Sequence, residues 1–290
     1  MRRSLATVSS APTLVHVLRL THRVGSSGSS PPLRGGLATG VLLLMAVSVG
    51  AQSVAPLTSN RPGIGNSEAL VGRGMIQVEG GMQVEGAPQQ SDQQWTETWG
   101  QLTMRFGLTP RVEIFSTWDG LSVTRLQAGG ASHILDGGND LLVGTKLAVM
   151  TEARHHVTLT VEPAWSFPIG ADAFSSNSND GSFRVLWARS LPSDWSVSGN
   201  LLSTRTSDTA GRLWHNEATL SLTRAVTPTV SAFAELSGGP LGNRADVWTL
   251  DAGAAWVAGP DVQWDVSAGH TFNDRGNDWF VSAGVSLRRR

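Results

Sequence analysis

The chain has 290 residues, no cysteine and no tyrosine, yet 33 glycines and 11 tryptophans. Without cysteine there is no disulfide, thiolate metal site, cysteine nucleophile or acylated lipoprotein anchor. Of its 22 basic residues five (Arg2, Arg3, Arg19, Arg23, Arg34) precede residue 50 in a stretch without acid, which leaves 17 basic against 23 acidic residues beyond it and nothing that favours nucleic acid.

Residues 37–50, LATGVLLLMAVSVG, form an uncharged apolar run behind those arginines, followed by small residues. Basic, apolar and small in that order is a secretory signal, with cleavage expected near Ala51/Gln52. The run is shorter than the ~20 residues a spanning helix needs. The basic region is longer than such regions usually are, which an upstream-assigned start codon explains; a membrane anchor is the alternative. We therefore divide the chain into a signal peptide with an extended N-region (1–51), an N-terminal segment (52–72) and a β-rich body (73–290).

The body shows no sustained helical period and is punctuated by Gly, Pro, Asn and Asp. Period-2 alternation predicts about twelve strands, near 73–86, 93–107, 110–118, 139–150, 155–167, 181–190, 193–204, 212–225, 228–238, 245–258, 261–272 and 278–288. The last is representative: Trp279, Val281, Ala283, Val285 and Leu287 face one way, Ser282, Gly284 and Ser286 the other, with Phe280 an apolar exception. Short turns alternate with polar loops at 87–92, 119–138, 168–180, 205–211, 239–244 and 273–277. Even strand number and alternating turn length are the pattern of an outer-membrane barrel, with both termini periplasmic.

The alternation also assigns the faces. Trp, Leu, Val and Ala share one face, while Glu79, Arg105, Glu113, Lys146, Glu162, Arg184, Glu235, Asp251 and Asp265 lie on the other. Twelve strands enclose more space than side chains fill, since about eight already leave room for little else. The apolar face is therefore expected against lipid and the charges in the lumen, with Trp118, Trp165, Trp195, Trp248, Trp256, Trp264 and Trp279 in interfacial belts. Those nine charged residues are the candidate site. They either form a constriction that selects solutes or pair with one another to stiffen the barrel. Residues 52–72 either enter the lumen or trail in the periplasm.

The segments NRPG (60–63), GMIQVEGG (74–81), LTMRFGLTPRVEIF (102–115), DLLVGTKLAV (140–149), VEPAWSFPIG (161–170), AFAEL (232–236) and DWFVSAGVSLR (278–288) resemble the outer-membrane barrel family labelled for the meta-pathway of phenol degradation. The resemblance runs from about residue 60 to the end. It implies an outer-membrane location and uptake of aromatic or other small organic compounds. The chain departs from such barrels at its end, Leu287-Arg288-Arg289-Arg290, where an aromatic residue is usual.

Chemistry of other kinds is weakly signalled. His155-His156 would point to opposite faces of a strand and fall at a turn, so they do not suit a shared metal. Gly138, Gly144 and Lys146 lack phosphate-loop spacing. His215 and Asn216 lie among serines without a nucleophile elbow, so an outer-membrane lipid hydrolase or acyltransferase is the rival reading. A structural or adhesion barrel is the third. Asp172, Asn177, Asn179 and Asp180 read as a solvated loop rather than a Ca²⁺ site. The expectation is a monomeric, all-β, up-and-down antiparallel barrel of about twelve strands in the outer membrane of a Gram-negative-type bacterium. Its partners would be membrane lipid, the barrel-assembly machinery and a small-molecule solute, with no cofactor and no catalysis.

Overall fold

Alternating segments joined by short polar turns pair with their chain neighbours, because each exposed strand edge carries backbone groups that must be satisfied. The computed structural model describes residues 57–89, 92–128, 131–208, 211–239, 247–273 and 276–290. The signal peptide read in residues 1–51 and its cleavage site lie outside the described residues. The strands are β1 (Ile76–Gln89), β2 (Asp92–Thr109), β3 (Val112–Trp118), β4 (Leu121–Ala128), β5 (Ala131–Gly138), β6 (Leu141–Met150) and β7 (Thr158–Phe167). They continue as β8 (Asp180–Leu191), β9 (Trp195–Asp208), β10 (Gly211–Ala225), β11 (Val230–Gly238), β12 (Trp248–Gly259), β13 (Val262–Asn273) and β14 (Gly276–Arg289). All pair antiparallel, and β1 pairs both β2 and β14, which closes the sheet.

The fourteen strands make a 12-strand barrel. Residues 102–109 of β2 pair with β3, and residues 93–99 with β4, so β3 and β4 are two lengths of one stave. In the same way β6 continues β5, pairing with β3 while β5 pairs with β4. The stretch 119–138, expected as a loop, is therefore the hairpin β4–β5 prolonging two staves beyond the barrel.

The physical reason is a change of phase. Gly100 and Gly120 face each other with φ of 68° and 86°, left-handed values at which only glycine is free of strain. A β-carbon on Gly120 would overlap the carbonyl oxygen of Trp99. The bulge leaves Gly100 unpaired between Gln101 and Trp99. Thr103 and Thr117 face inward below it, Thr98 and Ser122 above it, an odd spacing that breaks the period on which strand reading depends. Outward charges on the extension, Glu97 and Arg125 paired at 2.6 Å, place it above the hydrocarbon. A second difference is local. The strand expected from residue 155 begins at Thr158, after a single helical turn α1 (Glu152–His155) that ends in left-handed His156.

Polarity is inverted relative to a water-soluble protein. Exposed large apolar side chains such as Met104, Ile114, Val143, Leu201, Leu220, Leu250 and Val281 ring the outside, and the buried positions are mostly polar or charged. Trp165 is outward and half-exposed near the upper rim. Trp256 and Trp264 pair across strands near the lower one. Trp195 carries the Arg224 guanidinium over its ring at 5.3 Å. These positions suit interfacial belts.

At the outer rim the loop 168–179 is tied down by Asp140, whose carboxylate accepts the Gly170 and Ser176 amides at 3.0 and 2.9 Å. Asp119, in the junction between β3 and β4, sits beside it. Loss of solvent, reinforced by the Asp140 charge, pushes the Asp119 carboxyl up to about 7 from an ordinary 3.8.

Two outcomes follow. Val281→Arg places a charge on the lipid face between the aromatic belts and should cost about 2–4 kcal/mol of stability in liposomes, measured by denaturant titration of tryptophan fluorescence. Because the folded state holds the Asp119 proton more tightly than the unfolded one, rim stability should fall as pH rises from about 4 to 7 and then level off. Protection of the amides in residues 168–179, taken relative to their pH-dependent intrinsic exchange rates, should fall over that window in the native chain and not in Asp119→Asn.

Candidate functional site

Inside the barrel the chain threads its own lumen. Residues 57–71 run through it before β1, and they are held almost wholly by polar contacts; only Leu57 and Val71 are buried apolar residues there. The reason lies in the wall. Each inward carboxylate or cation is shielded from bulk water and needs partners, and the segment's backbone supplies them.

The cluster begins at Arg105, which is 1% exposed. Its Nε and Nη2 donate to the two oxygens of Glu113 at 2.7 and 3.0 Å, and Nη1 donates to Glu79 at 2.9 Å. The same guanidinium reaches the segment, with Nη1 donating to the Thr58 carbonyl at 3.1 Å and Nη2 to that of Ala69 at 2.7 Å. Glu113 accepts the Val71 amide at 2.6 Å, and Glu79 accepts that of Asn60 at 3.0 Å. Lys146 lies opposite Glu113 in the strand register. Its Nζ donates to Asn60 Oδ1 at 2.8 Å and the Ser67 carbonyl at 2.6 Å, and stands 3.7 Å from Glu162.

Further along, the turn at Ile64–Asn66 crosses to the far wall. Glu235 Oε1 accepts the Ile64 and Gly65 amides at 2.7 and 2.9 Å. Asn66 exchanges backbone bonds with the Asn200 side chain and donates its own amide to Glu162 at 3.0 and 3.1 Å. Thr160 Oγ1 donates to the Glu68 carbonyl at 2.7 Å. Asp265 holds Arg61 at 3.1 Å.

All nine residues singled out from the sequence thus face the lumen and are buried: Glu79, Arg105, Glu113, Lys146, Glu162, Arg184, Glu235, Asp251 and Asp265. All but Arg184 and Asp251 touch the N-terminal segment in the contacts given above. Arg184 stands 3.8 Å from Glu162, and both carboxylate oxygens of Asp251 are buried without a hydrogen-bond partner. Phe280, the apolar exception on a polar face, turns inward and packs over Gly269. Arg61, Asn66, Asn200 and Gln101 were not singled out as site residues. Arg61 carried a signal nonetheless: an arginine next to a Pro-Gly pair, ahead of the first strand, where no helix or strand uses it. Among the described residues no three His, Cys, Asp or Glu side chains gather to hold a metal ion.

A closed antiparallel barrel also emerges from comparison with known proteins. Residues 59–288 match the family described as "Putative MetA-pathway of phenol degradation". The chain belongs to that family. The fold is shared with an outer membrane channel from Pseudomonas putida F1, at 16% identity and a TM-score of 0.59, over 77% of this chain and 97% of that one. The translocator domain of the autotransporter NalP from Neisseria meningitidis aligns at 14% identity and a TM-score of 0.49, over 75% and 89% of the two chains. The CymD monoaromatic hydrocarbon channel aligns at 10% identity and 0.45, over 76% and 89%. No curated protein matches. Membership and fold together make this an outer-membrane barrel.

Arg105 anchors both wall and segment, so removing its charge strands two buried carboxylates. Arg105→Gln should lower stability by about 3–5 kcal/mol, read from the denaturant midpoint of the refolded barrel. Arg105→Lys, which cannot serve Glu79 and Glu113 at once through a planar fork, should recover only part of it.

Proposed function

We propose that the barrel mediates passive passage of small organic compounds across the outer membrane, without catalysis or cofactor, and that residues 57–71 form a displaceable plug. Export by a signal peptide in residues 1–51, assembly by the barrel-assembly machinery and a monomeric state complete the reading. The observation that carries it is the character of the plug. An immovable core would be apolar, whereas this segment is held by hydrogen bonds and ion pairs whose net worth is about 0.5–1.5 kcal/mol each, or roughly 1.5–3 where a charged group takes part, once water can replace them. Hydration of the lumen can therefore release it.

Once the plug moves aside, Arg105, Lys146 and Arg184, interleaved on one arc of the wall with Glu79, Glu113 and Glu162, share a wetted lumen with Glu235, Asp251 and Asp265, and this mixed ring becomes the constriction. Its acidic excess favours neutral or cationic solutes. The family's description points to aromatic cargo, and Phe115 and Phe280 supply buried aromatic surface on the inner wall.

Single-channel recording in planar bilayers tests this reading. The chain from residue 52 should show rare, small openings, and a variant beginning at residue 73 should show larger, long-lived conductance. Silence from both, in samples whose heat-shifted gel mobility shows a folded barrel, would overturn it. In the shortened variant Lys146→Glu should raise cation selectivity, seen as a shifted reversal potential in a salt gradient. An unchanged potential would remove these charges from the constriction.

A further inference from the structure

The plug's one guanidinium, Arg61, lies in a seat that the register builds from four neighbouring strands. Gln101 of β2 is opposite Gly81 of β1, Gly81 is opposite Gly284 of β14, and Gly284 is opposite Asp265 of β13. One cross-strand row therefore reads acceptor, glycine, glycine, acceptor. Arg61 fits it donor by donor. Nε donates to Asp265 Oδ1 at 3.1 Å, Nη1 to Gln101 Oε1 at 3.1 Å and Nη2 to Ser282 Oγ at 2.7 Å.

The glycines are the floor. A β-carbon at Gly81 would come within 2.5 Å of Arg61 Cζ, and one at Gly284 would overlap the guanidinium as well. The planar group thus lies flat on backbone, with its edge nitrogens meeting separate acceptors. An ammonium ion cannot reproduce that contact, since it is a compact point charge without a face.

The seat also holds more acceptors than Arg61 uses. Asp265 Oδ2 and, opposite Ser282, Ser267 Oγ are buried without hydrogen-bond partners. Both belong to the inward face of β13. Because its side chains stand on the hydrogen-bonded wall and the arginine arrives on a separable segment, the seat persists when Arg61 leaves.

We propose that this seat is a guanidinium-binding site of the barrel wall, occupied in the plugged state by the chain's own Arg61 and by small guanidinium-bearing solutes when it is vacated. Such a solute competes with Arg61 and so favours withdrawal of the plug. The regulatory part rests on the reading of residues 57–71 as a plug; the binding site does not.

The test is calorimetric titration of the refolded chain from residue 52 in detergent, with ethylguanidinium as probe and ethylammonium as control. Arg61→Ala should bind ethylguanidinium saturably, at least about tenfold more tightly than ethylammonium and than the native chain binds it, the loss of one charge-assisted bond being worth that much. Adding Gly284→Ala or Ser282→Ala to Arg61→Ala should weaken binding about tenfold, with heat-shifted gel mobility reporting the fold of each. No saturable heat in Arg61→Ala, equal affinity for the two cations, or binding untouched by both second substitutions would each overturn the proposal. The readout needs no flux. A barrel that binds the probe but never conducts keeps the site and loses the channel reading, and one that conducts without binding does the reverse.

Discussion

Hydrocarbon accepts no hydrogen bond, and most of this structure follows from that. A sheet exposed to lipid must close, so β1 meets β14 and no edge remains around the barrel wall. A closed sheet in lipid must turn its apolar residues outward, so its polar ones converge on the axis. Twelve staves leave a lumen wider than side chains span. The charges that converge there would be buried without partners unless something entered, and residues 57–71 enter. The plug is thus the completion of the wall's hydrogen bonding. Glu113, Glu79 and Glu235 each accept one of its amides or more, while Lys146 and Arg105 take its carbonyls.

This ordering explains which parts were legible in the sequence. Alternation of period 2 is a local property, so the strands from β7 onward, the inverted faces and the nine luminal charges could be read from neighbours two residues apart. The hairpin β4–β5 was missed because its phase depends on a bulge at Gly100 and Gly120, and nothing local distinguishes such a glycine from one in a loop. The course of the N-terminal segment is illegible for a different reason. Residues 57–71 have no period and no apolar face, and their conformation is dictated by groups far along the chain. Asn66 meets Asn200, Ile64 meets Glu235, and Arg61 meets Asp265 and Ser282. A segment whose order is borrowed from the wall cannot be read before the wall is built.

The glycines on the inward face show the same dependence. Gly269 lies under the Phe280 ring and Gly144 under Phe115, while Gly81 and Gly284 lie under Arg61. In a strand interior each costs backbone entropy, roughly 0.5–1 kcal/mol against alanine. Here that cost makes room for a planar group laid against the wall. Phe280 broke the alternation on the polar face for this reason: opposite it stands a position without a side chain.

The balance that keeps the plug in place is set by water rather than by shape. In a dry lumen an unpaired carboxylate is heavily penalised, so the network around Arg105 and Lys146 is nearly obligatory. As water enters, each plug contact is exchanged for a solvent contact at little net cost, and the segment is held only by those groups for which water is a poor substitute. Arg61 is one of these, because its planar face against Gly81 and Gly284 and its three separate acceptors form a fit that water replaces poorly. The segment is therefore secured by the buried charges of the wall, and at Arg61 also by shape. On the proposed reading, a segment secured in that way stays shut against solvent alone and yields to a solute that matches its guanidinium contact.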